Sequence, residues 1–349
     1  MIPVVAVLLF GTTARFAYPI NTGATGEGTS KLVAAGRFDP YGVVTTNDLQ
    51  HVPAERLVAL MGHELPWTRL AAARVLAGSG PESVPAFLNA LEHEDWRIVR
   101  AAQDGLRAML KGAGGDNDGV RKPIIGGISA LQENLKHDHY YVRVGALQCL
   151  QALGADAAGA GAEICAATED EDYLGVVPAA FKTIQAVGAD NFDPDRLFSV
   201  MQSSIQSKHI AARKAAIDLI EKLDEDRQRT LIPALLYALD HQMNDGYTRY
   251  HVQARIARLL QKLGAEGTLP RIVAILGIKG WGESHRIKQF MPLLEKYGPA
   301  AEEAVPFLED YIRIFEKRGT NSDLVALIRK AIDAIQNEDE TGGTDNEKS

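Results

Sequence analysis

The sequence predicts an all-α fold: an α-solenoid, or superhelix, of about eight antiparallel helix pairs behind an irregular N-terminal cap. The first observation is an apolar stripe at helical spacing in residues 139–154, HYYVRVGALQCLQALG, a stretch that ends in a helix-stopping glycine. The second is the return of that pattern in residues 250–264, YHVQARIARLLQKLG. A helix with one apolar stripe does not stay folded alone, so repeated copies imply a stack in which neighbours cover one another.

The apolar stripe of residues 139–154 also predicts which side chains are buried. Its members are Val142, Ala146, Cys149, Leu150 and Leu153. Leu147 points away from this stripe, so its truncation to alanine is predicted to cost clearly less stability than that of Leu150. The second of the two cysteines, Cys165, lies in another helical run. We expect both cysteines to be buried as small hydrophobic residues and not to form a disulfide.

Helix pairs fill the chain from residue 53 to residue 336. They divide roughly as 53–80, 82–111, 122–154, 159–188, 195–223, 227–264, 267–298 and 302–336. Several first helices open with a hydrophobic residue and a proline, which a first helical turn accepts because its N–H groups lack helical partners. These openings are Val84-Pro85, Ile232-Pro233, Leu269-Pro270 and Val305-Pro306. Second helices carry a basic or amide residue among small ones, at Arg69, Arg100, Arg143, Arg213 and Gln253.

With these features the chain resembles the HEAT-repeat superfamily, particularly its short bacterial members of the phycobilisome-lyase type. The nearest match is residues 91–106, LEHEDWRIVRAAQDGL, where a His/Asp-rich turn leads into a Val-Arg-x-x-Ala-like second helix. The resemblance covers about 53–336. It implies the fold but is weak for function, because such arrays serve many roles. The fourth pair departs from the pattern: 173–188 has no arginine and contains Pro178, which leaves its register open.

Two flanking segments lie outside the repeats. Residues 1–52 do not follow the period and are predicted to form an irregular cap whose role the sequence leaves open. Residues 337–349 are polar and acidic, and are predicted to be disordered. The apolar run 2–10 has no Lys or Arg before it and is too short to span a bilayer. We favour a cytoplasmic location, with export as the alternative if residues 1–14 act as a signal.

Two His-Glu pairs, His63-Glu64 and His93-Glu94, occur 30 residues apart at equivalent turns. Deoxyhypusine hydroxylase, a HEAT-like enzyme, binds iron through His-Glu pairs, but there the pairs lie within helices and face a shared centre. Here they fall between helices, where His and Glu cap helix starts. We therefore predict no metal site and no cofactor. No catalytic set such as Ser-His-Asp can be recognised, so we assign no catalytic residues and expect that the chain is not an enzyme.

Charge is distributed unevenly along the chain. The net charge of -8 argues against a nucleic-acid partner, which requires a basic footprint. Residues 249–296 nevertheless hold nine Lys/Arg and three acids. Within them Arg255, Arg258 and Lys262 recur at i, i+3 and i+7, which places them along one helical stripe away from the apolar side. The predicted binding residues are these three together with Arg249, Arg286 and Lys288.

These observations favour a scaffold that binds protein or peptide and has no catalytic activity of its own. The basic stripe favours an acidic peptide segment as the partner. No stable membrane span is expected, and the oligomeric state is left open. The alternatives are an accessory C-terminal repeat module of a larger enzyme, or a HEAT-like metal-dependent hydroxylase or lyase.

Overall fold

The computed structural model describes residues 46–112, 118–170, 175–241, 248–278 and 282–337. Regular structure in these ranges is helical throughout, with α-helices joined by turns and short 3-10 segments. The chain divides into two compact units, Met1–Ala130 and Leu131–Ser349. Among the described helices, none combines the length and the hydrophobicity that a bilayer crossing needs. Most of the predicted cap and tail lies outside the described residues, so both stay predictions.

In its described residues, the first unit contains two helix pairs and the start of a third. Its helices are α1 (Thr46–Leu49), α2 (Ala54–Leu60), α3 (Pro66–Gly78), α4 (Val84–Ala90), α5 (Trp96–Gly112) and α6 (Asp118–Gly126), and α7 (Ile128–Asn134) crosses the unit boundary. The first helices α2 and α4 pack side by side, as do the second helices α3 and α5. At the end of the segment predicted as a cap, α1 packs against α3 and buries Leu49 completely.

The second unit repeats this two-layer arrangement. Its helices are α8 (Tyr140–Leu153), α9 (Gly161–Ala166), α10 (Val176–Val187), α11 (Pro194–Ile205), α12 (Ile210–Ile220), α13 (Glu225–Thr230), α14 (Ile232–Asp240), α15 (Thr248–Lys262), α16 (Thr268–Leu276), α17 (Glu283–Tyr297), α18 (Val305–Arg318) and α19 (Ser322–Gln336). The second helices α8, α10, α12, α15, α17 and α19 form a continuous row in which each packs on the next. The first helices α11, α14 and α16 form the other layer. One layer therefore presents a continuous face built from second helices only.

Helix α8 is buried more widely than its apolar stripe predicts. Leu150 is fully buried as expected, but Leu147 is fully buried as well, so the prediction that it points away from the core is wrong. The reason is that α8 packs on its neighbour α10 in addition to the helical segment that follows it. Cys149 and Cys165 are both buried, which confirms that they pack as small hydrophobic residues. Burial raises the pKa of the Cys165 thiol to about 11.

The structure also explains Pro178, whose place in the fourth pair left the register open. Helix α10 begins at Val176, so Pro178 stands in its first turn. A proline is tolerated there because the first-turn N–H groups have no partner within the helix. The helix then ends at Gly188, which has a φ of 94°. That backbone conformation is accessible to glycine and strained for other residues.

The arginine of the second helix holds the turn that precedes its own helix. In α3, Arg69 Nη1 donates to the carbonyl oxygens of His63 (2.8 Å) and Glu64 (2.9 Å). In α8, Arg143 Nη1 donates at the same two distances to the carbonyl oxygens of His137 and Asp138, six and five residues before it. One side chain thus satisfies two carbonyl groups that the turn leaves without backbone partners.

Histidines at these turns accept backbone hydrogen bonds. The Nδ1 atom of His63 accepts from the N–H of Leu65 (3.1 Å), and that of His93 accepts from the N–H of Asp95 (2.9 Å). His137 makes the same contact with the residue two places on, at 2.8 Å. The structure therefore gives both histidines of the His-Glu pairs the turn-capping role expected from the sequence. The metal-dependent hydroxylase alternative depends on those two pairs acting as metal ligands.

Candidate functional site

The exposed face of α10, α12 and α15 contains a groove of about 510 Å³. It is lined by Pro178, Phe181, Lys182, Gln185, Ala211, Lys214, Ala215, Asp218, Glu221, Lys222 and Arg255. These residues come from successive second helices, which the packing of the second unit brings side by side. We call this feature the second-helix groove. Its lining holds four basic and two acidic side chains, so the groove is positively charged in a chain of net charge -8.

The two acidic side chains are engaged by Arg255. Its Nη1 lies 2.7 Å from Asp218 Oδ1, and its Nη2 lies 2.6 Å from Glu221 Oε2. The hydrogen bond to Glu221 is the main cause of a raised pKa for Arg255. Arg255 thus lines the groove while paired with two carboxylates, and its role as a binding residue stays a prediction. It joins α15 to α12 and forms one wall of the second-helix groove.

The other three basic side chains of the groove are lysines, and the carboxylates that Arg255 binds are not their partners. Lys222 Nζ donates to Gln185 Oε1 at 2.7 Å, a bond that joins the C-terminal ends of α12 and α10. Lys182 and Lys214 are exposed, and neither has an ion-pair partner among the described residues. Positive charge that is not balanced locally attracts anions. These two lysines are therefore the cations of the groove that are available to a ligand.

Three of the predicted binding residues lie on the same layer as the groove. Arg258, Lys262 and Lys288 are exposed on α15 and α17. Arg258 Nη2 donates to Gln289 Oε1 at 3.3 Å, and this hydrogen bond links α15 to α17. The side chain of Arg249 lies outside the described residues, so its role stays a prediction.

Arg286 does not belong to any exposed surface, and its prediction as a binding residue is wrong. Its side chain is 0% exposed, with the guanidinium 5.4 Å from the ring centroid of Tyr250. Nη2 donates to the hydroxyl of Tyr311 at 3.1 Å. That hydroxyl donates in turn to the carbonyl of Leu276 at 2.7 Å, and burial raises its pKa. Arg286 is a core residue that joins α17 to α15, α16 and α18 through two tyrosines.

Lys182, Lys214 and Lys222 were not among the predicted binding residues, because they lie outside the basic segment 249–296. One local signal could have identified Lys214: it follows Arg213, the repeat arginine of α12, which is buried at 3% exposure. Because Arg213 shares its buried side of the helix with Ala216 and Ile217, three and four positions on, Lys214 falls on the exposed side that also carries Asp218 and Glu221. No comparable signal marks Lys182, whose helix lacks the repeat arginine.

The described residues contain no group of three or more His, Cys, Asp or Glu side chains placed to hold a metal ion. On α15 and α17, His251 and His285 have ring centroids 5.9 Å apart in an edge-on arrangement. The chemistry that the second-helix groove itself offers is ion pairing through lysines and burial of apolar surface.

Comparison with solved structures decides the fold. Importin beta matches with a TM-score of 0.54 at 13% identity, over 81% of this chain and 46% of that one. A Kap95–Nup1 complex matches with a TM-score of 0.54 at 14% identity, over 87% of this chain and 43% of its counterpart. Kap95p bound to RanGDP matches with a TM-score of 0.52 at 13% identity, over 82% of this chain and 43% of that one. The chain has the HEAT-repeat fold.

The all-α HEAT-repeat solenoid predicted from the sequence is thereby confirmed. Identities this low show the fold and nothing more, and the chain spans less than half the length of these three proteins. The phycocyanin lyase complex from Nostoc matches at 19% identity over 74% of this HEAT-repeat chain, with a TM-score of 0.36. That score is too low to support the lyase-like subgroup, which stays a prediction. No family model matches the chain, and no curated protein sequence does.

Proposed function

We propose that this HEAT-repeat chain is a scaffold that binds an acidic segment of another protein in the second-helix groove. The observation that carries this proposal is the positive groove in an acidic chain, with Lys182 and Lys214 exposed and not engaged in ion pairs within the described residues. Similarity of fold to Kap95p, whose structures include Nup1 and RanGDP, is consistent with a protein partner. We propose binding without catalysis.

The proposed site is centred on Lys182 and Lys214, and it shares only Arg255 with the predicted basic stripe. Arg258 and Lys262 extend the positive face beyond the groove on α15, and Lys288 extends it on α17. The chain's net negative charge repels acidic partners elsewhere, so a local positive face guides such a partner to one place.

The test is the affinity of a fluorescent glutamate-rich peptide, measured by anisotropy, against a matched peptide with glutamine in place of glutamate. We expect the glutamate peptide alone to bind, and its binding to weaken as salt rises from about 50 to 300 mM, because the Debye length is roughly 8 Å at 0.15 M. The double variant Lys182→Glu, Lys214→Glu should lose about tenfold or more in affinity, since two attractive pairs become repulsive.

A control variant separates the groove from general charge. Lys317→Glu changes one exposed lysine on α18, outside the residues that line the groove, and should leave binding unchanged. Circular dichroism establishes that all variants keep their helical content. Equal affinity of the groove variant and the wild type would show that the groove is only a solvated charged face.

A further inference from the structure

Lysines mark the C-terminal ends of three successive second helices. Lys222 lies two residues after the end of α12, Lys262 is the last residue of α15, and Lys296 lies in the last turn of α17. All three side chains are exposed. We call these three residues the lysine edge. Lys222 also lines the second-helix groove, so the lysine edge and the groove meet at the end of α12.

The last second helix ends on the same edge. Arg258 donates to Gln289 at 3.3 Å. One turn further along α15, Gln261 Nε2 donates to the carbonyl of Leu293 at 3.2 Å, one turn further along α17. The two helices therefore run parallel. Helix α19 packs on α17 and is separated from it along the chain by α18 alone, so it has the same direction. Its end at Gln336 therefore belongs to the edge that carries the three lysines.

From this edge the chain continues as an acidic segment, residues 337–349, which we call the acidic tail. It contains five carboxylates and one lysine. The carboxylates form two groups on either side of the sequence Thr-Gly-Gly-Thr at 341–344: Glu338, Asp339 and Glu340, then Asp345 and Glu347. A segment of low hydrophobicity and high charge has little apolar surface to bury, so charge dominates its interactions.

The length of the acidic tail matches the distance to the groove. Packed helices have axes about 8–10 Å apart, so the three steps from α19 through α17 and α15 to α12 amount to about 24–30 Å. An extended chain covers about 3.3 Å per residue, so Asp345, nine residues after Gln336, can stand about 30 Å from it. The first acidic group is therefore within reach of Lys296, and the second within reach of Lys222.

Carboxylates already present near this edge are paired with other cations. Glu221 lies 2.6 Å from Arg255, and Glu295 lies 2.7 Å from Lys330. Lys222 is bonded to a neutral amide, that of Gln185, which leaves its charge unbalanced. Single exposed ion pairs are weak. A tethered segment, however, has an effective concentration of about millimolar, so several weak pairs suffice to hold it.

We propose that residues 338–347 lie along the lysine edge and cover the end of the second-helix groove at Lys222. The acidic tail thereby competes with the acidic partner of the proposed function, on which this consequence of the inference rests. An external acidic segment binds when it displaces the acidic tail. The groove therefore selects segments that bind more tightly than the chain's own carboxylates.

Spin labels on Ala186→Cys and Ser349→Cys test the position of the acidic tail directly. Ala186 is exposed in the last turn of α10, the helix that packs beside α12. Cys149 and Cys165 are buried and should not react with the label. At about 50 mM salt we expect a short and narrow distance distribution between the labels, which becomes long and broad at about 300 mM because exposed charges are screened.

Charge reversal identifies the lysines that hold the acidic tail. Lys222→Glu with Lys296→Glu should abolish the short distance at low salt. The matched control is Lys208→Glu with Lys317→Glu, which reverses two exposed lysines outside the lysine edge, one before α12 and one on α18. This control should keep the short distance, and circular dichroism establishes that both variants keep their helical content.

A second measurement tests the competition, with the fluorescent glutamate-rich peptide as the probe. Asp345→Asn with Glu347→Gln should raise the affinity of the full chain for this peptide about threefold or more, because the acidic tail no longer occupies the end of the groove. Glu302→Gln with Glu303→Gln removes the same charge from two exposed residues outside the second helices and should change the affinity little.

The outcomes separate this inference from the proposed function. A broad distance distribution that does not depend on salt would overturn the inference even if the peptide binds, and would leave the three lysines as complements of helix dipoles. An unchanged peptide affinity after neutralisation of Asp345 and Glu347 would also overturn it, because the acidic tail would not cover the groove. Failure of the peptide to bind either protein would overturn the proposed function and, with it, the competition.

Discussion

Replacing Arg143 with alanine should destabilise the second unit strongly. The side chain is 7% exposed and donates hydrogen bonds to one carboxylate and to two backbone carbonyls. Nε and Nη2 donate to the two carboxylate oxygens of Asp170 at 2.5 and 3.2 Å, and Nη1 donates to the carbonyls of His137 and Asp138. Breaking a buried ion pair by removing one partner costs about 3–5 kcal/mol, because the other charge stays buried. We expect a loss in that range.

Arg69 provides a matched comparison. Arg69 donates to the two equivalent carbonyls of its own turn, those of His63 and Glu64, at 2.8 and 2.9 Å. It is partly exposed, and no carboxylate is bonded to its guanidinium within the described residues. Arg69→Ala should therefore cost only about 1–3 kcal/mol, the penalty for leaving polar groups without partners. The excess cost at Arg143 measures the contribution of Asp170.

Urea unfolding followed by circular dichroism gives both free-energy changes, each from the transition that the variant shifts. Asp170→Asn, alone and combined with Arg143→Ala, completes a double-mutant cycle. We expect the combined loss to be clearly smaller than the sum of the single losses. If Arg143→Ala costs no more than Arg69→Ala, or if the two changes at Arg143 and Asp170 are additive, the buried pair does not stabilise the fold as reasoned here.

Three further predictions concern the core and the turns. Leu147→Ala and Leu150→Ala should each cost about 2–5 kcal/mol in urea melts, because both side chains are fully buried, and a small loss at Leu147 would contradict the packing of α8 on α10. Gly105→Ala should cost about 1–3 kcal/mol, since the added methyl group would overlap the Phe87 ring, and an unchanged melting temperature would show that the ring moves freely. Burial lowers the pKa of His63, so its neutral ring stabilises the fold above about pH 6.5 and that contribution is lost as the pH falls through the lowered value. His63→Asn keeps a hydrogen-bond acceptor that does not titrate, and should flatten the stability profile between about pH 7 and 5; an unchanged profile would remove His63 as the cause.

Local sequence pattern determined the helices, the pairing of helices and the roles of the turns. Apolar residues at helical spacing, prolines in first turns and glycines after second helices are consequences of backbone geometry within one segment, so they can be identified without knowledge of neighbours. The same holds for the turn histidines such as His63 and His93, whose hydrogen-bond partners lie two residues away.

Only the tertiary structure decided which charges are free and how far burial extends around a helix. A second helix in the stack contacts the second helices on either side as well as its own partner, so Leu147 and Arg286 are buried although their own helices do not predict it. The carboxylates that engage Arg255 lie 34 and 37 residues before it, on another helix. Lys182 and Lys214 share one groove for the same reason. Helical periodicity describes one helix, whereas burial and ion pairing depend on which helices lie beside it.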